Sequence, residues 1–260
     1  MSEVMSGSFT SLIRDLQRRR GRERRRLTFI EGVRLVEEAL AAEIVFRAAA
    51  SSPALEATSR GSALKSALTA AGTPLVDLSD RDLADLADTE HPQGVLAVIE
   101  PKHWSLDDVR VEPGRPVLVL DRVQDPGNVG TMVRTAFALG AAGVIALKGT
   151  AELTAPKVLR GSMGALFRLP AIRSDVPWFL DWHGASGADL WLADARGEPV
   201  SGIKAAGAIS IVIGNEGAGL DPALGSVPHR RVAIPLIRPA DSLNAAVTAG
   251  ILLYEVSRGA

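Results

Sequence analysis

Val117-Leu118-Val119-Leu120-Asp121-Arg122-Val123-Gln124-Asp125-Pro126-Gly127-Asn128-Val129-Gly130-Thr131-Met132-Val133-Arg134 is the stretch on which the fold turns. Its first four residues form an unbroken apolar run, the pattern of a strand buried on both faces of a parallel sheet. From Val129 a helical rhythm carries on to residue 139. Between the two lies a turn rich in small and amide-bearing residues. Strand ends that open into helices in this way are where α/β proteins hold ligands.

Two later segments repeat the arrangement. Ile213-Gly214-Asn215-Glu216-Gly217-Ala218-Gly219-Leu220 follows an apolar strand over residues 209–213. Ile234-Pro235-Leu236 leads to Asp241-Ser242-Leu243-Asn244 and a closing apolar helix over residues 243–256. Three such turns, each with its own polar set, suggest one composite site. Each also has a plain structural reading. Asn128 sits where an N-cap is expected, with Gly130 in the first turn and Arg134 one turn further on the same face. Arg134 is either a surface arginine or a grip for phosphate. Ser242 or Asp241 alone would be an ordinary cap. The glycines at 214, 217 and 219 do not match the spacing of a dinucleotide loop. Glu216 would repel phosphate, which favours a cationic or zwitterionic ligand.

Working outward, the alternation of strand and helix continues on both sides. Strands are expected at residues 144–147, 167–172, 190–193 and 232–234, with a helix at 155–163. Before residue 100, helices are expected at residues 9–20, 31–42, 63–71 and from an Ser79-Asp80 cap to 86. Strands are expected at 27–30, 43–48, 74–78 and 94–99. Residues 102–115 are polar, carry Pro113 and Gly114, and read as a linker. The division is therefore a small αβ domain over residues 1–101 and a parallel-sheet α/β domain over residues 116–260.

Composition narrows the chemistry. No cysteine is present, which excludes disulfides, zinc–thiolate sites and thiol catalysis. His91, His103, His183 and His229 lack metal-ligand spacing, so no metal is expected. No apolar run is long enough to cross a membrane and none at the N-terminus resembles a signal peptide, so a soluble cytoplasmic protein is expected. Formal net charge is only −1, but its distribution is uneven. Arg14, Arg18, Arg19, Arg20, Arg22, Arg24, Arg25 and Arg26 crowd a stretch that holds two acids, Asp15 and Glu23. Such a run attracts phosphates, or it is the solvated face of a helix.

Taken together, the three turns resemble the motifs of the SpoU/TrmH family of RNA ribose 2′-O-methyltransferases, within the SPOUT superfamily. Asn128, Gly130 and Arg134 match the first motif. Gly214, Glu216 and Gly217 match the second. Ile234, Pro235, Ser242, Leu243 and Asn244 match the third. Arg160-Gly161-Ser162-Met163-Gly164-Ala165 is similar to a further family segment. The resemblance covers residues 116–258. Residues 1–101, with the arginine run, Phe29-Ile30-Glu31-Gly32 and Pro92-Gln93-Gly94-Val95, are similar to the substrate-binding domain often fused to this family. That domain in turn resembles ribosomal proteins that bind kinked RNA.

The resemblance implies a trefoil-knotted α/β domain, S-adenosylmethionine as cofactor, and a homodimer whose interface completes the site. It implies an RNA substrate, rRNA ahead of tRNA. Arg134 is implied as the catalytic residue, with Asn128, Glu216, Ser242 and Asn244 beside it. Gly214, Asn215, Gly217, Ile234, Leu236, Ser242, Leu243 and Asn244 are implied as cofactor contacts. Arg18, Arg19, Arg20, Arg22, Arg24, Arg25, Arg26 and Arg134 are the RNA-binding set. One departure stands out. Many relatives carry glycines where this chain has Ile237-Arg238-Pro239, which reshapes the rim of the cofactor loop. Three other readings stay open: a non-catalytic RNA-binding protein, a nucleotide-dependent α/β enzyme using the glycine-rich turn, and a SPOUT enzyme acting on a base, against which the Asn128/Arg134 motif favours ribose.

Overall fold

The structure is a computed structural model that describes residues 2–203, 207–237 and 243–258. It divides into two compact units. One comprises residues 1–103 with 154–167, the other residues 104–153 with 168–260.

The first unit opens with α1 (Ser2–Leu16) and α2 (Arg19–Arg25). The chain breaks between them, so the single helix expected over residues 9–20 is two. Arg22 explains how the break is kept. Its guanidinium turns inward and donates to the carbonyls of Leu16 (2.8 Å) and Gln17 (3.0 Å), capping the end of α1. Then follow β1 (Thr28–Glu31), α3 (Val33–Ala41), β2 (Phe46–Ser51), α4 (Pro53–Glu56), α5 (Ser59–Ala70), β3 (Leu75–Asp77), α6 (Asp80–Ala84) and β4 (Val95–Ile99). The strands form a sheet ordered β1-β4-β2-β3. β4 is antiparallel to both neighbours, and β2 runs parallel to β3. Strand β2 starts later than its sequence suggests, because Glu43 takes a left-handed turn (φ 55°) beyond the end of α3. The Ser79 hydroxyl does accept the Asp82 amide as the cap of α6. Phe9, Ile13, Leu16, Phe29, Leu96 and Val98 form the center of this unit's core.

The second unit contains β5 (Val117–Leu120), α7 (Pro126–Ala138) and β6 (Gly143–Leu147). The next helix, α8 (Pro156–Ser162), packs with the first unit. There Arg160 bridges Glu31 and Asp88, at 2.9 Å each. The second unit resumes with β7 (Ala171–Ser174), α9 (Val176–Ser186), β8 (Asp189–Pro199), β9 (Ile209–Ile213), β10 (Arg230–Ala233) and α10 (Ala245–Arg258). All six strands are parallel, in the order β10-β8-β9-β5-β6-β7. Strands β5, β6 and β9 are buried along their whole length, which is why they read as unbroken apolar runs.

Two expectations are corrected and one helix was not foreseen. Residues 165–167 form a 3-10 turn rather than a strand, and β7 begins only at Ala171. Helix α9 was not legible, because Trp178, Phe179, Leu180 and Trp182 spread apolar side chains around it and blur the period. β8 continues to Pro199 instead of ending at residue 193. Its pairing with β10 is interrupted between Arg231 and Val232, where residues 193–197 bulge outward.

Chain order along the sheet reverses between β5 and β9. The sequence runs from β5 to β6 and β7 on one side, and occupies the other side with β8, β9 and β10. A crevice at the carboxyl ends of strands on either side of such a reversal is the expected ligand site of a parallel α/β sheet. Helix α10 packs on α7 beside it. The knot implied by the resemblance concerns the passage into the C-terminal helix, and residues 238–242 before it lie outside the described residues.

Candidate functional site

Both central turns converge on the crevice. After β5, Asp125 caps α7 by accepting the Asn128 backbone amide (2.7 Å), and Pro126 occupies the first helical position. This corrects the expected cap at Asn128. Proline fixes the backbone angle that the first helical residue needs and has no N–H to satisfy, so the cap falls just before it. The consequence is functional: the Asn128 side chain is left free to face the crevice.

It is fixed there from both ends. Its Nδ2 donates to Glu216 Oε1 (2.9 Å), and its Oδ1 accepts from Asn244 Nδ2 (3.1 Å). Glu216 Oε1 also accepts the Ala245 backbone N–H (3.4 Å). Asn244 Oδ1 accepts the amides of Ala246 (2.9 Å) and Val247 (3.3 Å), so this residue caps α10 while its amide nitrogen orients Asn128. Residues from all three turns thus form one chain of hydrogen bonds. Within it the orientation of the Asn128 amide is defined, because one end must donate to a carboxylate and the other must accept from an amide.

Arg134 is exposed on α7 and has no hydrogen-bond or ion-pair partner among the described residues. A guanidinium with all its donors unused, on the helix that presents Asn128, is available to an anionic group.

Beside the network lies a cavity of about 1000 Å³. Gly214, Asn215, Glu216, Ile234, Leu236 and Leu243 line it, together with Leu192, Ile213, Val232 and Leu252. Gly217 and Asn244 are not part of its wall, and Ser242, Asp241, Arg238 and Pro239 lie outside the described residues. The Asn215 side chain is engaged in shaping the turn. Its Oδ1 accepts the amides of Gly217 (2.9 Å) and Ala218 (2.8 Å), while its backbone pairs with that of Gly219.

Sequence reading missed the opposite rim. The bulge in β8 brings Asp194 and Arg196 to the cavity together with Arg231 of β10. Asp194 accepts the Arg196 backbone amide (2.9 Å) and Arg231 Nη1 (2.5 Å). These bonds, led by the Arg196 backbone amide, lower its pKa to about 2 against the opposing effect of desolvation. Gly197 makes the bulge possible: a Cβ there would stand 2.6 Å from the Arg231 carbonyl carbon and the Val232 nitrogen. That glycine was the one available signal, and it sits within an undistinguished polar stretch.

The arginine run belongs to the first unit. Arg22 is buried and engaged with α1, so it does not present its guanidinium at the surface. Arg24 and Arg25 both pair with Asp15 (2.8 and 2.5 Å), and Arg19 pairs with Glu23 (2.7 Å). Principally through Arg25, these contacts hold the Asp15 carboxyl below its ordinary range. Arg18, Arg20 and Arg26 are exposed and have no such partner among the described residues.

A parallel α/β sheet with a cavity walled by the β8 bulge and by the loops after β9 and β10, beside a polar network shared by three turns, defines a ligand-binding α/β protein. Residues 115–254 match the model of the SpoU rRNA Methylase family, and residues 11–97 match the MRM3-like substrate binding domain. The chain belongs to the SpoU rRNA methylase family. It is 37% identical over 180 residues to the 23S rRNA (guanosine(2553)-2′-O)-methyltransferase RlmP of Bacillus subtilis, spanning 69% of this chain and 71% of that one. It is 38% identical over 176 residues to a 23S rRNA (uridine(2479)-2′-O)-methyltransferase of Streptomyces viridochromogenes, spanning 65% and 61%. The AdoMet-bound rRNA methyltransferase of Sinorhizobium meliloti superposes with a TM-score of 0.85 at 29% identity, covering 96% of this chain and 94% of that one.

Proposed function

We propose that this protein transfers a methyl group from S-adenosylmethionine to a ribose 2′-hydroxyl, with 23S rRNA as the substrate ahead of tRNA. The observation that carries this reading is the Asn244–Asn128–Glu216 network beside the cavity, on the helix that carries Arg134, which has no partner among the described residues. The named activities of the relatives support the ribose and the 23S rRNA.

The residues present suit the cofactor. An apolar wall of Leu192, Ile213, Val232 and Leu252 suits a purine, and the turns at 214–219 and 234–236 offer backbone groups to its polar edge. Glu216 at the mouth suits a ligand with a positive center. When bound, S-adenosylmethionine supplies the activated methyl group and its leaving group.

The chain's own work is alignment and charge. Arginine stays protonated in proteins, so Arg134 serves as an electrostatic partner and not as a base. Aimed at the 2′-oxygen and the adjacent phosphate, it stabilises negative charge developing on that oxygen. The 2′-proton passes to water or to the phosphate as the new oxygen–carbon bond forms. Asn128, held by Glu216 and Asn244, orients the ribose; Ser242 completes this set in the proposed assignment.

In the same reading, residues 1–101 bind RNA, residues 102–115 connect, and residues 116–260 catalyse. Arg18, Arg20 and Arg26, with the paired Arg19, Arg24 and Arg25, form the phosphate-facing set. A second copy of the chain covers the exposed Val247 and Tyr254 of α10 and Phe137 of α7. Among the described residues no helix is long and apolar enough to cross a membrane, and no group of three metal-ligating side chains is found. With rRNA as the proposed substrate, we place the protein in the cytoplasm.

The test uses radiolabelled S-adenosylmethionine and ribosomal RNA, followed by alkaline hydrolysis. A 2′-O-methyl group blocks cleavage at one phosphodiester. Label incorporation with unaltered cleavage would assign the methyl to a base and overturn the ribose assignment.

A further inference from the structure

Asp121 and Arg122, at the end of β5, belong to none of the three motifs, yet they hold the loop over residues 214–221 at both of its ends. Asp121 is 1% exposed. Its Oδ2 accepts the Asp221 backbone amide at 2.6 Å. Its two oxygens also take Arg122 Nε (3.1 Å) and Nη2 (3.3 Å). The same Nη2 donates to the Gly219 carbonyl (3.3 Å), and the Arg122 carbonyl accepts Asn215 Nδ2 (2.9 Å). Between those anchors, Asn215 and Gly219 pair through their backbones at 3.2 and 3.0 Å.

A buried carboxylate is costly unless its acceptors are satisfied, and here they are satisfied by the loop's Asp221 amide and by the Arg122 guanidinium. Arg122 also adopts a left-handed backbone (φ 57°), uncommon for a side chain of its size. Strain of this kind persists where the surroundings impose it, and such places cluster at ligand clamps. Glu216 lies within the restrained loop, so the same clamp sets where the partner of Asn128 stands.

We propose that Asp121 and Arg122 are positioning residues that hold the residue 214–221 loop in the shape that receives the cofactor, an inference that rests on the cofactor reading above. Both act through the loop and not on the reacting atoms. Their loss therefore weakens cofactor binding, while saturating cofactor restores the loop and most of the turnover rate.

Asp121→Asn is the sharpest variant. It keeps the shape but replaces one acceptor with a donor, which must face either the Asp221 N–H or the Arg122 guanidinium. The expected result is exchange of the Asp221 and Gly219 amides about tenfold faster, and a KM for S-adenosylmethionine raised about tenfold. The kcat should stay within about threefold of wild type. Arg122→Lys, which retains charge but not the fork, should give a smaller rise in KM. Arg122→Gly relaxes the backbone yet removes the clamp, and should raise KM as Asp121→Asn does. Unchanged loop exchange in folded Asp121→Asn would overturn the proposal. So would a loss confined to kcat, or losses that merely follow thermal stability. Hydrogen exchange needs no cofactor, so wild-type protein that failed to bind S-adenosylmethionine would count against the proposed function while leaving the clamp decided by exchange alone.

Discussion

Asn128 Nδ2 stands 2.9 Å from Glu216 Oε1, a bond that spans 88 positions of sequence and joins the helix after β5 to the loop after β9. Because Asn244 holds the other end of the same amide, removing Glu216 leaves Asn128 anchored at one end only. Glu216→Ala is expected to lower kcat by about 100-fold, the scale of effect when a positioned group shifts by roughly an ångström. The pair is exposed, so thermal stability should hardly change. Single-turnover methylation checks this, and a wild-type rate would remove Glu216 from the orienting role.

Arg134 should separate activity from stability even more cleanly. It is exposed and makes no side-chain bond among the described residues, so Arg134→Ala should leave the melting temperature within about 1 °C of wild type. If it stabilises charge at the 2′-oxygen, kcat should fall by roughly 100- to 1000-fold. Arg134→Lys should recover only part of that loss, because an ammonium lacks the planar fork.

The arginine run divides into residues that should affect RNA affinity and one that should affect folding. Replacing Arg18, Arg20 and Arg26 together with Gln should reduce the slope of log affinity against log salt by up to about 2.7, since each lost phosphate contact removes roughly 0.7–0.9. Arg22→Ala should leave that slope alone and destabilise the first unit by about 1–3 kcal/mol, because it leaves the end carbonyls of α1 without their donor. Filter binding at several salt concentrations and urea denaturation separate the two. Arg22→Ala with wild-type stability and a flatter salt slope would reverse the assignment.

Val247 and Tyr254 lie seven positions apart on one stripe of α10, each about half exposed, with Phe137 similarly exposed on α7. The two helices pack so closely that a Cβ added at Gly250 would lie 3.6 Å from Thr135 Cγ2. A charge in the middle of a covered apolar face is strongly unfavorable. In the proposed dimer, Tyr254→Glu should therefore shift light scattering to the monomer mass and lower methylation. Wild type that runs as a monomer would remove the second copy from the reading.

How much of this could be read from the chain alone depends on how local each signal was. β5, β6 and β9 were legible because strands buried on both faces leave an unbroken apolar run. The Ser79 cap was legible because its chemistry spans three residues. The three motif turns were legible as turns, and one composite site was expected from them; the particular bonds that join them were not legible. The Asn244–Asn128–Glu216 network exists only because parallel strands place distant turns at one edge. Asp125 took the cap from Asn128 because Pro126 follows it, a rule that was available and was outweighed by the motif. The clamp at Asp121 was invisible for another reason: an acid after an apolar strand reads as its solvated end, and only the fold buries it.

Asp194 gives the pH dependence a definite direction. Its bonds to the Arg196 amide and to the Arg196 and Arg231 side chains lower its pKa to about 2, against about 3.9 in an unfolded chain. Folding thus favors the charged form. The stabilisation is fully present above about pH 4 and is lost as pH falls through about 2. Asp194→Asn should remove this part of the acid dependence, so that wild type and variant differ most above pH 4 and converge near pH 2. The variant should also free Arg231, loosening the rim of the cavity where residues 193–197 bulge from β8. Urea midpoints measured from pH 2 to 7 would show the convergence. A difference between the two proteins that grew as pH fell would contradict the charged role of Asp194.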